Sequence, residues 1–472
     1  MGAILMQLPI VSVAPIVQEH GEIFREVFAN RKQYRHFQNY VTGLIALENK
    51  SMANIARCVL DSADKTNLSR YMSEAPWRDE RLNNRRVSYM KEQTAPYQVK
   101  ADDSVLAIDD TLCEHVGSLF EYVDRHYNHS NSQYPLAHSL VTSHYVSGPV
   151  RFPVDASLYR RYEEFTDWES FVGKHFPDET IPRKKAERRK FHKRVDAKLL
   201  EDPEFQELDQ AFQTKIALGI ELVEKAIERG LAFGWVLFDG WYLAPDLLTV
   251  LDRLKKDWIS ILKQNRNLET NSFQLRDEKG QPISLEGPHI KVNELVPLIP
   301  NKAFKAITLS GRLFYTFTMT VRIPSIGKVR IVISFDNPEL EGNYVVLVTN
   351  RLDCNAKRIL LTYLQRWPIE TFYQDSKQLL GMDEYRMRTA QAFQKHWSLV
   401  FVAYSLLHLD CLSASLLKKQ SSPNKSIGKA ARQQAQSLIQ DLILYTHDAI
   451  QSGQSAHHVF DTLFAKQQLQ PA

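Results

Sequence analysis

Cysteine is scarce: Cys58, Cys113, Cys354 and Cys411 are the only four in 472 residues, and no two form a CxxC pair. Their spacing excludes a disulfide framework and a thiolate zinc site, and it suits a reducing compartment. Long apolar runs are missing as well. The longest, LVFVAYSLLHL at 399 to 409, is well short of the roughly 20 residues that span a bilayer. The start, MGAILMQLPIVSVAPIV, has no basic leading segment and is interrupted by Pro9 and Pro15, so it does not read as a signal peptide. No membrane association is expected, and the expected location is the cytoplasm. Neither a GxxxxGKS or GxxxxGKT loop nor a GxGxxG loop occurs, which removes the usual support for ATP or NAD dependence. Internal repeats are absent too, and the net charge of +4 is too small to announce a polyanionic partner by itself.

What is present is a globular composition. Hydrophobic residues make up 44% and charged residues 24%, enough to build cores without disulfides or metals. The length exceeds one ordinary core of roughly 100 to 200 residues, so two or three structural units are expected. Positive charge is concentrated locally. IPRKKAERRKFHKRV, residues 181 to 195, carries eight Lys or Arg against the single acid Glu187. A second cluster runs through Arg78, Arg81, Arg85, Arg86 and Lys91. Such density is what phosphate neutralisation requires, and Arg183, Lys184, Lys185, Arg188 and Arg189 are the candidate contacts.

Along the chain, residues 20 to 100 have helical periodicity and few breakers. SMANIARCVLDSADKTNLSRYMSEAPW predicts a helix from Ser51, a polar turn at 61 to 65 and a second helix capped near Thr66, ending before Pro76. This helix-turn-helix-like pair would place Lys65, Asn67 and Arg70 on one side as a groove-reading set. Strand patterns follow at SVLAIDDT (104 to 111), LAHSLVTSHYV (136 to 146) and VRFPVDASLY (150 to 159). A helix ending at Gly230, the strand GWVLFDGWYL (234 to 243), another helix and the strand ISILKQ then alternate as in an α/β core. From 266 to 352 the strands FKAITL, LFYTFTMTVRI, KVRIVISFD and YVVLVTN suggest an inserted antiparallel sheet. Helices return afterwards, and the polar patch at 418 to 426 reads as a linker.

Three acids stand out by position: Asp109 or Asp110 at the end of the first strand, Asp239 at the end of a later one, and Glu370. Strand alternation sends Asp109 and Asp110 to opposite faces, so only one of them can join such a group. Converging carboxylates suit hard divalent cations such as Mg2+ or Mn2+, and two such ions would serve phosphodiester chemistry. In YLQRWPIETFYQDSKQLLGMDEYR, residues 363 to 386, Tyr363, Arg366, Glu370 and Lys377 stand at offsets of zero, three, seven and fourteen. On one continuous helix these would share a face, a carboxylate flanked by phosphate-holding groups. Pro368 opposes that picture: it removes a backbone donor and should kink or restart the helix. A start at Trp367 or Pro368 would put Glu370 in a first turn, where the helix dipole favours a carboxylate. His126 and His129, with His138 and His144, lack acids or thiols at ligand spacing and do not read as a metal site.

The spacing Y-(2)-R-(3)-E-(6)-K resembles the signature of DDE transposases of bacterial insertion sequences, the IS-four superfamily that includes the Tn-five and Tn-ten enzymes. The surrounding sequence is most similar to its IS-seven-oh-one group. The resemblance implies an α/β fold with an RNase H-like catalytic core. Its metal-binding triad would be Asp110, Asp239 and Glu370, with Asp110 chosen because Thr111 follows it. Two Mg2+ or Mn2+ ions are implied, with Tyr363, Arg366 and Lys377 on the phosphates of the transposon end and Tyr344 as an aromatic that could receive a flipped base.

The implied division is a helical DNA-binding region at 1–100, core segments at 101–265 and 353–415, a β insertion at 266–352, and a helical region at 416–472. The implied function is binding of terminal inverted repeats, metal-dependent cleavage of the element ends and joining of the 3′ ends to target DNA. The expected partners are double-stranded DNA and a second copy of the chain in the synaptic complex, with the C-terminal helices as the dimer contact. The setting would be the bacterial cytoplasm, at the nucleoid when DNA is bound. Cleavage without joining, and DNA binding without cleavage, are the alternatives that these residues leave open.

Overall fold

The computed structural model describes residues 7–128, 130–309, 311–416 and 425–468. His129 and most of the linker expected at 418 to 426 lie outside the described residues. Among the described residues no helix is long and apolar enough to cross a membrane.

The core is a mixed sheet whose first strand, β1 (Val105–His115), begins with a fully buried apolar run. β2 (Asp124–Arg125), β3 (Leu136–Ser147) and β4 (Val150–Tyr159) follow, and β3 pairs antiparallel with β1, β2 and β4. Gly148 turns the chain between β3 and β4 at a φ of 60°, a conformation that a side chain would oppose. β5 (Trp235–Phe238) lies parallel to β1, and β6 (Asp257–Ile261) lies parallel to β5. All four residues of β5 are buried, as expected of a parallel strand covered on both faces. The helix Lys215–Glu228 leads into β5 and buries Leu218, Leu222, Val223 and Ala226.

The segment expected as an inserted sheet does not stand apart. After a small ribbon of β7 (Asn267–Glu269) and β8 (His289–Lys291), the strands β9 (Lys305–Leu309), β10 (Arg312–Ile323), β11 (Gly327–Phe335) and β12 (Tyr344–Thr349) form consecutive antiparallel pairs. β12 then pairs with β6, so the whole set continues the core sheet in the order β3-β1-β5-β6-β12-β11-β10-β9. The reason is backbone satisfaction: without β12, the far edge of the buried β6 would lack hydrogen-bond partners.

The N-terminal helices are part of the main core. Phe37, Tyr40 and Leu44 of the Arg31–Ala46 helix share one hydrophobic cluster with Phe372, Trp397 and Tyr404. Polar contacts fasten the same junction: Tyr40 Oη lies 3.0 Å from His396 Nδ1, and Gln434 Oε1 accepts from Ile16 N at 3.0 Å. The second basic cluster turns out to be structural. Arg86 is buried in the Asp79–Thr94 helix and donates to the Pro153 and Val154 carbonyls and to Ser405 Oγ. Arg85 pairs with Glu26, and Lys91 donates to the Arg229 carbonyl. Three of that cluster's five cations are therefore committed to holding the fold.

Between β4 and the Lys215–Glu228 helix the chain makes a helical excursion that the strand and helix patterning did not resolve. Its helices are Tyr162–Phe165, Trp168–His175, Lys185–Leu199 and Pro203–Ala211. They close over a separate cluster centred on Trp168, Phe171, Phe191, Val195 and Phe205.

Two buried imidazoles make this fold acid-sensitive. Burial holds His396 neutral and lowers its pKa from 6.5 to about 4, while burial and the Arg151 charge lower His408 to about 3. Protons therefore bind the unfolded chain more tightly. The stability that these groups contribute is complete above pH 6.5 and is lost as pH falls toward 4 and 3, by up to about 1.4 kcal/mol per pH unit for each group. The midpoint of thermal unfolding should fall between pH 7 and pH 4.5, and His396→Gln should flatten part of that fall. Parallel wild-type and variant profiles would refute it.

Candidate active site

Contrary to expectation, Asp109 and Asp110 do not end β1 but lie midway along it, because the strand stays paired with β3 as far as His115. Just beyond the stretch paired with β5, these two successive carboxylates leave the sheet in opposite directions. Asp109 pairs in register with Thr142 of β3, whose hydroxyl contacts Tyr373 Oη on the Trp367–Leu380 helix. On that face Asp109 Oδ2 accepts from Arg366 Nη1, and Arg366 Nη2 donates to Glu370 Oε1 at 2.8 Å. Asp110 belongs to the other face. Its Oδ2 accepts from Lys215 Nζ at 2.6 Å, and its Oδ1 lies 3.3 Å from Tyr242 Oη. The acid that the structure joins to Glu370 is therefore Asp109, whereas Asp110, the choice that followed from Thr111, is held by the helix on the opposite side.

Asp239 directly follows β5. Its Oδ1 accepts from Trp241 N at 2.9 Å, and its carbonyl accepts from Ser260 Oγ at 3.0 Å. Gly240 makes this possible, because a Cβ there would come within 2.8 Å of the Ile261 carbonyl. Burial pushes the Asp109 carboxyl up to about 7; Arg366 pulls it down, and Glu370, Asp110 and Asp239 push it up. All three acids are thus electrically close to Asp109.

The helix bearing Glu370 begins at Trp367, with Pro368 in its first turn. Pro is tolerated there because a first-turn N–H has no partner in the helix. Glu370 sits in the same turn, at the positive end of the helix dipole. Tyr363 lies in the last turn of the preceding helix, Ala356–Leu364, and Arg366 occupies the junction. The shared face expected of one continuous helix is thus assembled across a helix break. Arg366 holds its charge more firmly than usual: burial opposes ionisation, but Asp109, Tyr363 and Glu370 outweigh it. Burial raises the Tyr363 phenol to about 12. Lys377 is half-buried and donates to the Leu112 carbonyl of β1 at 2.8 Å.

The other expected contacts are dispersed. The Lys65–Ser73 helix is capped by Asp64, two residues ahead of the expected Thr66. Asn67 Nδ2 is spent on that cap, donating to Asp64 Oδ2 at 2.7 Å. Lys65 and Arg70 are exposed, and Arg70 and Asn67 line a shallow cleft with Lys32 and His36. Arg183, Lys184, Lys185 and Arg189 are exposed, but Arg188 is locked between Glu163 and Glu169 and is removed from the surface set. Tyr344 opens β12 with its ring centroid 5.2 Å from that of Phe335. No hydrogen bond or ion pair among the described residues joins it to the carboxylates. Residue patterning passed over Lys215 and Tyr242, which reach Asp110 from 105 and 132 residues away; nothing local marks them.

Among the described residues no three His, Cys, Asp or Glu side chains form a ready-made cation site. Arg366 and Lys215 neutralise the acids in this arrangement. The donors are nonetheless carboxylate oxygens, the ligand type that hard divalent cations require.

If the arginine bridge holds the acids together, Arg366→Met should cost about 2–3 kcal/mol, a buried-pair loss discounted for 16% exposure of the Arg366 side chain. Adding Asp109→Asn should recover a large part of it. Chemical denaturation of the four proteins of this cycle measures the coupling, and strict additivity would show that the contact contributes nothing.

A family model described as DDE superfamily endonuclease matches residues 23–309, more than half of the chain. The match includes Asp109, Asp110 and Asp239 and leaves Glu370 outside. No curated protein matches the chain. The aspartate-bearing strands β1 and β5 thus fall within the matched residues, and this protein belongs to the DDE superfamily endonucleases.

Proposed function

We propose that the protein is the transposase of a bacterial insertion sequence, of the IS-four superfamily and nearest its IS-seven-oh-one group. It binds the terminal inverted repeats of its element, cleaves the ends by phosphodiester hydrolysis and joins the 3′ ends to target DNA. Family membership supports DNA as the substrate and cleavage as the reaction. The observation that carries the finer reading is the Arg366 bridge, which ties the β1 carboxylate to Glu370 beside Asp239. The strand order β4-β3-β1-β5-β6, with β1, β5 and β6 parallel and β3 reversed, supports an RNase H-like core.

Asp239, Glu370 and a β1 aspartate are the residues that would hold Mg2+ or Mn2+, and the Arg366 contact favours Asp109 over Asp110 for the β1 position. Bound there, a pair of such ions would supply water activation and stabilisation of the leaving oxygen. The chain's own contribution is positional. Arg366 holds acids from two distant segments in one place, and Lys377 braces the Glu370 helix against β1. Tyr363, Arg366 and Lys377 are the residues proposed to take the phosphates that flank the scissile bond. The N-terminal helices, with Lys65 and Arg70 exposed, are the proposed end-binding region, and a dimer brings two ends together.

End-labelled DNA with the element's inverted repeats, Mg2+ and a supercoiled target tests this reading. Glu370→Gln should lower cleavage by at least about a thousandfold while end binding persists, a loss of about 4 kcal/mol in barrier terms. Asp109→Asn should match that loss and Asp110→Asn should fall short of it; the reverse order would reassign the β1 ligand. Cleavage by the wild type with no joined product would reduce the protein to a nuclease.

A further inference from the structure

We propose that the helical excursion Tyr162–Ala211 is a second contact surface for duplex DNA, gripping phosphates through one face of the Lys185–Leu199 helix. This rests on DNA being the substrate of the endonuclease, and it adds a surface that the cleavage chemistry does not require.

The helix divides its cations into two groups. Arg188, Arg194 and Lys198 are paired with Glu163 and Glu169, Glu179 and Glu201 respectively. Lys185, Arg189, Lys190 and Lys193 are exposed, and among the described residues none of them makes an ion pair or a side-chain hydrogen bond. The division follows the helix geometry. Phe191 and Val195 face the excursion's own core, and each stands two residues beyond Arg189 or Lys193, about 200° further round. Arg189, Lys190 and Lys193 therefore project away from the core, with Lys185 at the edge of the same face.

Lys185, Arg189 and Lys193 follow one another at intervals of four, rising about 6 Å per step. Like charges so spaced repel one another and weaken the helix when no anion lies alongside. A DNA strand offers one such anion per roughly 3.4 Å of axis. The face also includes Ala186 and Ala197 and no aromatic, so it suits phosphate contact rather than stacking on bases.

The excursion is rooted beside Asp110. It leaves the sheet after Tyr159 and returns at Lys215, whose Nζ bonds Asp110 and lies 5.2 Å from the Tyr159 ring centroid. The excursion has its own hydrophobic cluster and is joined to the sheet at these two strand and helix ends.

The test uses the full chain carrying Glu370→Gln, in EDTA, with a fluorescent 40-base-pair duplex of arbitrary sequence and NaCl varied from roughly 50 to 300 mM. Changing Lys185, Arg189 and Lys193 to Gln together should lower the slope of log affinity against log salt by about 2 to 3 and weaken binding at least about tenfold. A charge-matched control, Lys279→Gln with Lys328→Gln and Lys357→Gln, should leave the slope within experimental error. If the test triple melts early, Arg189→Gln alone should lower the slope by about 1. An unmoved slope, or an equal loss in the control, overturns the proposal. So does wild-type binding to phosphatidylserine vesicles that the triple abolishes while DNA binding stands. Failure of the Glu370→Gln chain to bind any duplex would instead defeat the DNA reading of the protein.

Discussion

Four carboxylates crowd one region of the core sheet, and their mutual repulsion is the constraint around which the structure is organised. Asp109 and Asp110 lie midway along the first core strand, Asp239 directly follows its parallel neighbour, and Glu370 arrives from a helix more than a hundred residues later. Burying such a group in an apolar protein is unfavourable unless cations or metal ions compensate it. Arg366 and Lys215 supply that compensation from opposite faces of the sheet, one through Asp109 and Glu370 and the other through Asp110. Because each cation rides on a different helix, the charge balance also locks those helices to the strand between them.

Delivering Arg366 and Glu370 together requires a break in the chain. Pro368 begins a new helix at the point where Glu370 benefits from the dipole, and the junction leaves the Arg366 side chain free to reach across to β1. What looks on paper like an interrupted face is a corner with three functions: it ends the Ala356–Leu364 helix, starts the Glu370 helix and directs a guanidinium between two acids. Lys377, two turns further on, fastens the other end of the same helix to the Leu112 carbonyl.

The distribution of positive charge over the rest of the molecule follows a similar logic. Arg86 is fully enclosed and spends its donors on carbonyls of β4 and a C-terminal hydroxyl, so it stitches the N-terminal helices to the sheet. Arg188 is enclosed by two glutamates. On the Lys185–Leu199 helix the cations that remain uncommitted among the described residues lie away from the apolar core. Burial of one face decides which charges the other can offer.

Much of the fold was legible because it depends on local pattern. The buried runs of β1 and β5, the strands of the 305–349 region and the restart near Pro368 follow from periodicity and backbone chemistry. The position of Asp239 directly after β5 was legible for the same reason, whereas Asp109 and Asp110 lie midway along a strand that runs on to His115. Alternation also dictated that Asp109 and Asp110 must part. Which of them meets Glu370 depends on the helices that cover each face, and those come from residues far away in sequence. The same holds for the continuation of the core sheet through β12, for Lys215 beside Asp110 and for the burial of Arg86. The sequence by itself determined the elements and the residue chemistry they display, since both are properties of short segments. Only the tertiary structure decided which charges neutralise one another and which face outward, because those choices depend on packing between segments that no local pattern connects.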